Sequence, residues 1–195
     1  MKLEGKRVTL RPMTLKERFK FFQWATRSDA TDYWYGKLLG DDVPSYVVFK
    51  TEWPDHYFTE GGLYKGRCFV IEHEGKMIGQ INYNEVHKLD LSTELDILIA
   101  DRKNQGRGLG SEAIRLLQRY LFQQLGLRRL RMEVVSENPR ALRAFGKAGF
   151  SHTYSYVREG IRWHVMEMLA DANLPVVTPK DDATPSSRLP LYSIL

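Results

Sequence analysis

The chain has 195 residues and a single cysteine, Cys68. One cysteine excludes an intramolecular disulfide and a zinc site built from thiolates. A lone thiol is expected in a reducing compartment. No stretch approaches the ~18 to 20 consecutive apolar residues that a membrane span needs. The opening MKLEGKRVTL lacks the apolar centre of a secretory signal. These features predict a cytoplasmic protein with no membrane partner. The histidines at 56, 73, 87, 152 and 164 have no paired ligand spacing, so no metal is expected. No internal repeat is present. Proline is sparse in the body: four of the eight fall in the last 25 residues, around KDDATPSS. Turn and linker chemistry of that kind marks a boundary. It predicts one domain over residues 1–170 and a Pro-rich tail over 171–195, flexible or docked on a neighbour.

What is present suits a globular domain. Apolar residues make up 43% and charged residues 27%, enough for a core and too apolar for disorder. Lys plus Arg exceeds Asp plus Glu by 29 to 24. That mild excess permits an anionic partner: nucleic acid, a membrane surface or a phosphorylated small molecule.

Periodicity orders the elements. Val8, Leu10 and Pro12 alternate with Thr9 and Arg11, predicting a first strand. Thr14 followed by Glu17 reads as a helix start ahead of Phe19, Phe22 and Trp24. Residues 28–66 are aromatic-rich and lack a clear period, with a helix expected to open at Pro44. Strands are predicted over 67–73 and 76–85 across Glu74-Gly75, and over 93–100. Apolar residues recur at helical spacing from Gly110 to Leu125, stopped by Gly126. A strand over 129–135, a short helix over 139–148 and a hairpin over 153–169 complete the order. The pattern predicts a mixed α/β (α+β) sandwich around a sheet.

The strongest local signal is Gln105-Gly106-Arg107-Gly108-Leu109-Gly110-Ser111, between a predicted strand and a predicted helix. Glycines allow a tight turn that gathers N–H groups. The helix start adds unpaired donors and the positive end of its dipole. Such a turn binds phosphate or pyrophosphate, with the Ser111 hydroxyl and the charges of Arg107, Arg102 and Lys103 in support. It lacks the Lys-Ser/Thr ending of a P-loop and does not sit in a first βα unit. A plain tight turn is the competing account.

The run ILIADRKNQGRGLGSEAIRLL resembles motif A of the GCN5-related N-acetyltransferases (GNAT), Q/R-x-x-G-x-G/A, through Gln105, Gly108 and Gly110. SENPRALRAFGKAGF resembles the family's second motif, with Asn138 before a short helix that ends in Gly149-Phe150. The VTLRPMT opening is similar to the RimJ/RimL-like branch. The resemblance spans roughly residues 7 to 170. It implies a mostly antiparallel sheet of about seven strands with about four helices, acetyl-CoA as co-substrate, and an amine as acceptor. Two neighbouring strands of such proteins splay apart around the pantetheine arm. On that pattern Leu98, Ile99 and Ala100 present backbone groups to the arm. The amides of Gln105, Gly106, Arg107, Gly108, Leu109, Gly110 and Ser111 hold the pyrophosphate, and Asn138 bonds the arm. Arg140, Arg143 and Lys147 share a helix face toward the nucleotide phosphates. A homodimer is a common assembly for the fold.

Acetyl transfer needs a neutral amine, yet a lysine-like amine has a pKa near ~10.4. A carboxylate acting directly or through water takes the proton, and N–H donors steady the oxyanion. Glu94 and Asp96 lie two apart on one strand and so share a face. Either is a candidate base, with an ordinary solvent face as the alternative. Many relatives carry a Tyr on the last helix as acid, and here that position is Phe145. Tyr154 or Tyr156 is the candidate replacement. Tyr33, Trp34 and Tyr35, with Trp53, are candidates for an acceptor wall that holds a cationic amine. Cys68 lies in an apolar strand and reads as a core thiol.

Three function classes follow. The first is an acetyl-CoA-dependent N-acetyltransferase acting on a protein N-terminus, polyamine, aminoglycoside or other small amine. The second is a non-catalytic acyl-CoA sensor, motivated by Phe145. The third, a nucleic-acid binder, is disfavoured because no such motif occurs.

Overall fold

The computed structural model describes residues 1–35 and 43–171. The expected tail beyond residue 171 therefore lies outside the described residues. Eight strands form one sheet: β1 (Leu3–Glu4), β2 (Val8–Pro12), β3 (Arg67–His73), β4 (Lys76–Tyr83), β5 (Ser92–Ile99), β6 (Arg129–Val135), β7 (Ser151–Arg158) and β8 (Ile161–Leu169). Their spatial order is β1-β2-β3-β4-β5-β6-β8-β7. Every neighbouring pair is antiparallel except β5 with β6. The strand beyond the seven expected is two-residue β1, too short to show a period.

Among the described residues four α-helices cover the sheet: α1 (Arg18–Arg27), α2 (Tyr46–Glu52), α3 (Leu109–Gln123) and α4 (Pro139–Ala148). Their starts follow local chemistry. The Glu17 carboxylate accepts from both the N–H and the hydroxyl of Thr14, closing a short 3₁₀ turn that leads into α1. Ser45 Oγ accepts from Val48 N–H, so α2 begins at Tyr46 and not at Pro44. Helix α4 carries proline at its first position, Asn138 as cap and Gly149 at φ +102° as its stop.

Each face of the sheet buries its own core. Leu95 on β5, Ile81 and Tyr83 on β4, and Met132 on β6 pack against Ala113, Leu117 and Leu121 of α3 and Phe145 of α4. On the opposite face Cys68, Val70, Leu98 and Ala100 pack against Phe21, Phe22 and Trp24 of α1, Phe49 of α2, and Trp53. Cys68 is fully buried. Burial, then the nearby Asp96 charge, pushes its thiol well up, so it stays protonated and unreactive, as its strand position suggested.

The parallel pair opens into a fork. Strand β5 meets β6 only at Ser92, Thr93 and Glu94, opposite Arg129, Leu130 and Arg131. Beyond Glu94, β5 stays bonded to β4 and β6 stays bonded to β8. Each strand keeps its antiparallel partner, so the gap widens with the twist of the sheet. Asn84 N–H donates to Glu94 O and Ala100 N–H donates to Ile78 O. By the alternation of an antiparallel ladder, residues 94, 96, 98 and 100 turn their backbone groups toward β4, and residues 95, 97 and 99 turn theirs into the gap.

Candidate active site

That alternation corrects one expectation. The backbone groups of Leu98 and Ala100 belong to the β4 ladder. Ile99 does face the gap, and so does Ile97, which the sequence motif did not point to. Two side-chain donors already reach these carbonyls: Trp34 Nε1 donates to Ile97 O at 3.4 Å and Gln105 Nε2 to Ile99 O at 2.9 Å.

The glycine-rich turn follows at once. Gly106 and Gly108 adopt φ of +73° and +79°, the left-handed region that glycine enters without strain. Gly108 caps α3, whose first intrahelical bond runs from Glu112 N–H to Gly108 O. The amides of Leu109, Gly110 and Ser111 therefore make no intrahelical bond. Gln105, Gly106, Gly108, Gly110 and Ser111 line one large cavity of about 1690 Å³. Apart from their amides, three of the turn's residues take other roles. The Leu109 side chain is in the core. Arg107 does not line the cavity, and its carbonyl accepts from Arg7 Nη1. The Ser111 hydroxyl donates to Ala144 O, leaving only its amide for a ligand. Arg102 and Lys103 also lie outside the cavity wall.

The far wall of the cavity comes from β6 and α4. Asn138 Oδ1 accepts from Ala141 N–H as the cap of α4, so its Nδ2 is the atom left to face a ligand. Arg140, Arg143 and Lys147 line the cavity from exposed positions on α4. Phe145 also lines it, 96% buried and packed beside Phe150.

Both candidate carboxylates line the same cavity at the fork. Asp96 Oδ2 accepts from Asn82 Nδ2 at 2.9 Å and from Asn84 Nδ2 at 3.1 Å. Tyr57 donates its hydroxyl to Asn84 Oδ1 and so holds that amide in place. Burial raises the Asp96 carboxyl, while the two amide donors favour its ionised form. Among the described residues no amide side chain is shown donating to Glu94. Burial first, then the charges of Asp96 and Glu133, push it up to about 7, against the pull of Arg131 and Arg158.

Around Glu94 lies a polar cluster in which sequence reasoning named Tyr154 and Tyr156 but missed Arg131 and Glu133. Arg131 Nε stands 3.5 Å from Glu94 Oε1. Its Nη2 donates to Glu133 and, at 3.1 Å, to the Tyr154 hydroxyl. Tyr156 donates to Glu133 Oε2 at 2.5 Å, and burial, then that bond, push its pKa up, so the phenol stays protonated. Arg131 and Glu133 alternate along β6, but only the register of β5 on β6 sets them beside Glu94. Asn82 and Asn84 did leave a signal: Gln80, Asn82 and Asn84 place polar side chains at every second position between Ile81 and Tyr83.

The aromatic segment forms the remaining wall. Tyr33, Trp34 and Tyr35 all line the cavity. Tyr35 is also core, with its hydroxyl donating to Glu52 and accepting from Trp53 Nε1. The charge of the cavity wall is divided. Arg140, Arg143 and Lys147 stand on the α4 side, and elsewhere the wall is net acidic, with Glu52, Glu85, Glu94, Asp96, Glu133 and Glu159 outnumbering Lys65, Arg131 and Arg158.

The family profile described as Acetyltransferase (GNAT) domain matches residues 7–151. The chain is a GNAT acetyltransferase. The resemblance of its two motifs is thus upheld at the level of the family. The enzyme is 26% identical over 144 residues to spermidine N(1)-acetyltransferase of Escherichia coli K12, covering 74% of this chain and 73% of that protein. It is 26% identical over 150 residues to aminoglycoside N(6')-acetyltransferase type 1 of Klebsiella pneumoniae, covering 73% of each. In fold it is similar to AAC(6')-Ib in complex with paromomycin and acetyl-CoA (TM-score 0.69, 20% identity, 84% of this chain and 94% of that one). It is also similar in fold to Vibrio cholerae spermidine N-acetyltransferase in complex with CoA and spermine (TM-score 0.67, 21% identity, 85% and 96%). Among the described residues of this GNAT enzyme, no helix is long and apolar enough to cross a membrane.

Proposed function

We propose that this GNAT enzyme acetylates a multiply charged amine, a linear polyamine or an aminoglycoside, at the fork between β5 and β6. The observation that carries the reading is the divided wall of the cavity. A basic helix face and a turn rich in amides suit the phosphates of coenzyme A. The excess of carboxylates elsewhere on the wall suits a cation with several ammonium groups. The relatives named for spermidine and aminoglycosides support the same class.

The residues fit acetyl-CoA. The open edge of β5 at Ile97 and Ile99, the amides from Gly106 to Ser111, Asn138 Nδ2 and the α4 cations are the groups that would hold it. When bound it supplies a thioester as acyl donor. Asp96, whose carboxyl burial raises while Asn82 and Asn84 favour its ionised form, anchors an ammonium group whose own charge completes that ionisation. Glu94, with its proton affinity raised toward neutrality, removes the proton from the attacking nitrogen directly or through water. The nitrogen bonds to the acyl carbon as the carbon–sulfur bond breaks. N–H groups on the gap side of β5 face the developing oxyanion. Tyr154 or Tyr156 returns a proton to the thiolate, a role Phe145 cannot fill. With a thiol pKa near ~8.5, that last step demands the least help.

The VTLRPMT opening also supports a RimJ/RimL-like placement within the family. The buried free thiol supports a reducing, cytoplasmic setting, and a homodimer fits the fold.

A panel tests the reading: spermidine, spermine, kanamycin, propylamine and a peptide with a free N-terminus, each with acetyl-CoA, scored by thiol release. Release with the polycations at far lower concentration than with propylamine is expected. Preference for the peptide would overturn the acceptor class. Tight CoA binding without release on any amine would favour the sensor.

One residue outside the cavity is expected to matter. Arg7 braces the glycine turn through Glu112 at 3.0 Å and the Arg107 carbonyl at 2.9 Å. Steady-state kinetics of Arg7→Ala should show KM for acetyl-CoA raised roughly threefold to tenfold, the effect of ~0.7 to 1.4 kcal/mol. Its kcat and acceptor KM should stay near wild type.

A further inference from the structure

We propose that Arg131 is a positioning residue for acetyl transfer, steadying the ionised Glu94 carboxylate at the fork through its buried Nε–H. The inference rests on the reading of Glu94 as base. Three observations carry it.

The first is register. Arg131 is the cross-strand partner of Glu94 in the last pair before β5 and β6 part. A side chain there is held on one side by the ladder and opens into the cavity on the other. Both residues line that cavity. The second is an orphaned donor. Arg131 Nε is buried and has no hydrogen-bond partner. Buried donors are almost always paired, and the nearest acceptor shown for this one is Glu94 Oε1, 3.5 Å away. That gap closes with a small movement once Glu94 carries its negative charge. The third is bracing. The Arg131 guanidinium is fixed at its other end by Glu133 and by the Tyr154 hydroxyl. Glu133 in turn accepts from Tyr156. The guanidinium thus has little freedom to leave Glu94.

The electrostatics agree. On its own strand Glu94 faces Asp96. From β6 it faces Arg131 and Glu133, and from β7 Arg158. Tyr154 and Tyr156 of β7 belong to the same cluster, and Glu85, His56 and Lys65 line the same cavity. Arg131 is the first of the two cations that oppose burial and the acidic neighbours. Without it, Glu94 would hold its proton at the pH where it must accept one.

The test is the pH profile of kcat/KM for spermidine at saturating acetyl-CoA, which reports ionisations of the acyl-donor-loaded enzyme before acceptor binds. Wild type is expected to show a rising limb near pH 7 that Glu94→Gln removes. Arg131→Gln should move this limb up by roughly one unit, the effect of deleting an opposite charge at this range. Arg131→Lys should restore most of the shift. Glu133→Gln, which removes an acidic neighbour and keeps an acceptor for Tyr156, should move the limb down. If Arg131→Gln fails to fold, the downward shift in Glu133→Gln decides. Loss of rate in Arg131→Gln by the same factor at every pH, with the limb unmoved, would reduce Arg131 to a structural residue and overturn the proposal. So would an unmoved limb in Glu133→Gln. A limb that persists in Glu94→Gln would instead overturn Glu94 as base, a separate failure.

Discussion

Glu94→Gln is expected to lower kcat/KM for a polyamine by roughly 10²- to 10⁴-fold near neutral pH, the usual value of a positioned base. Acetyl-CoA binding should be unchanged, because the groups proposed to face the phosphates lie on the glycine turn and on α4. The glutamine keeps the volume and loses only the capacity to take a proton. Stability provides the control. The folded protein raises this carboxyl from the ordinary 4.5 to about 7. A raised acid contributes stability that is complete below the unfolded value and is lost as pH climbs through the folded one. The variant cannot ionise, so it should melt above wild type at pH 8 and level with it at pH 4. An inactive variant that melts higher at pH 8 is well folded and lacks only the base.

Gly79→Ala is expected to cost about 3 kcal/mol or more, at the upper end of overpacking effects. For a domain of this size that lowers Tm by roughly 6 to 12 °C, and it should depress turnover too. A Cβ at residue 79 would sit 2.0 Å from the Leu98 carbonyl oxygen, 3.0 Å from its carbon and 3.1 Å from Ile99 Cα. All three are backbone atoms. Strand β4 is bonded on both sides, to β3 and β5, so it cannot retreat. Relief comes only by pushing β5 away, which disturbs Ile97 and Ile99 at the gap. Gly146→Ala serves as the comparison. It lies within α4, and a Cβ there meets nothing within 4 Å. That change should stabilise by about 0.5 to 1 kcal/mol through helix propensity. Thermal melts of the two variants check both signs.

The regular elements were legible because their signals are local. A continuous apolar run marks β3 and alternation marks β6, and a cap, a first-turn proline and a terminal glycine bound α4. Period two also placed Glu94 and Asp96 on one face, where the structure has them. The segment from 28 to 66 was legible only at α2, placed two residues early. Its other described elements are 3₁₀ turns at Thr31–Tyr33, Asp55–Phe58 and Leu63–Lys65. Its order comes from ring packing such as Phe21 on Trp53 at 4.7 Å, which leaves no period. Of the backbone groups expected at the gap only those of Ile99 face it, since motif A marks the strand end but the register on β4 decides which residues face outward. Arg131 and Glu133 were invisible for a related reason. Their role depends on which strand lies beside β5, and no spacing within the chain encodes that.

The central claim is acetyl transfer to a polycationic amine at the fork. Its most direct measurement is the yield of acetylated spermidine, by mass spectrometry, set beside the free thiol released from acetyl-CoA in the same reaction. The account predicts one thiol for each acetyl group gained, saturating with spermidine and strongly reduced in Glu94→Gln. Thermal stabilisation by CoA with no acceptor-dependent thiol and no acetylated product, on spermidine or any other amine of the panel, would contradict it.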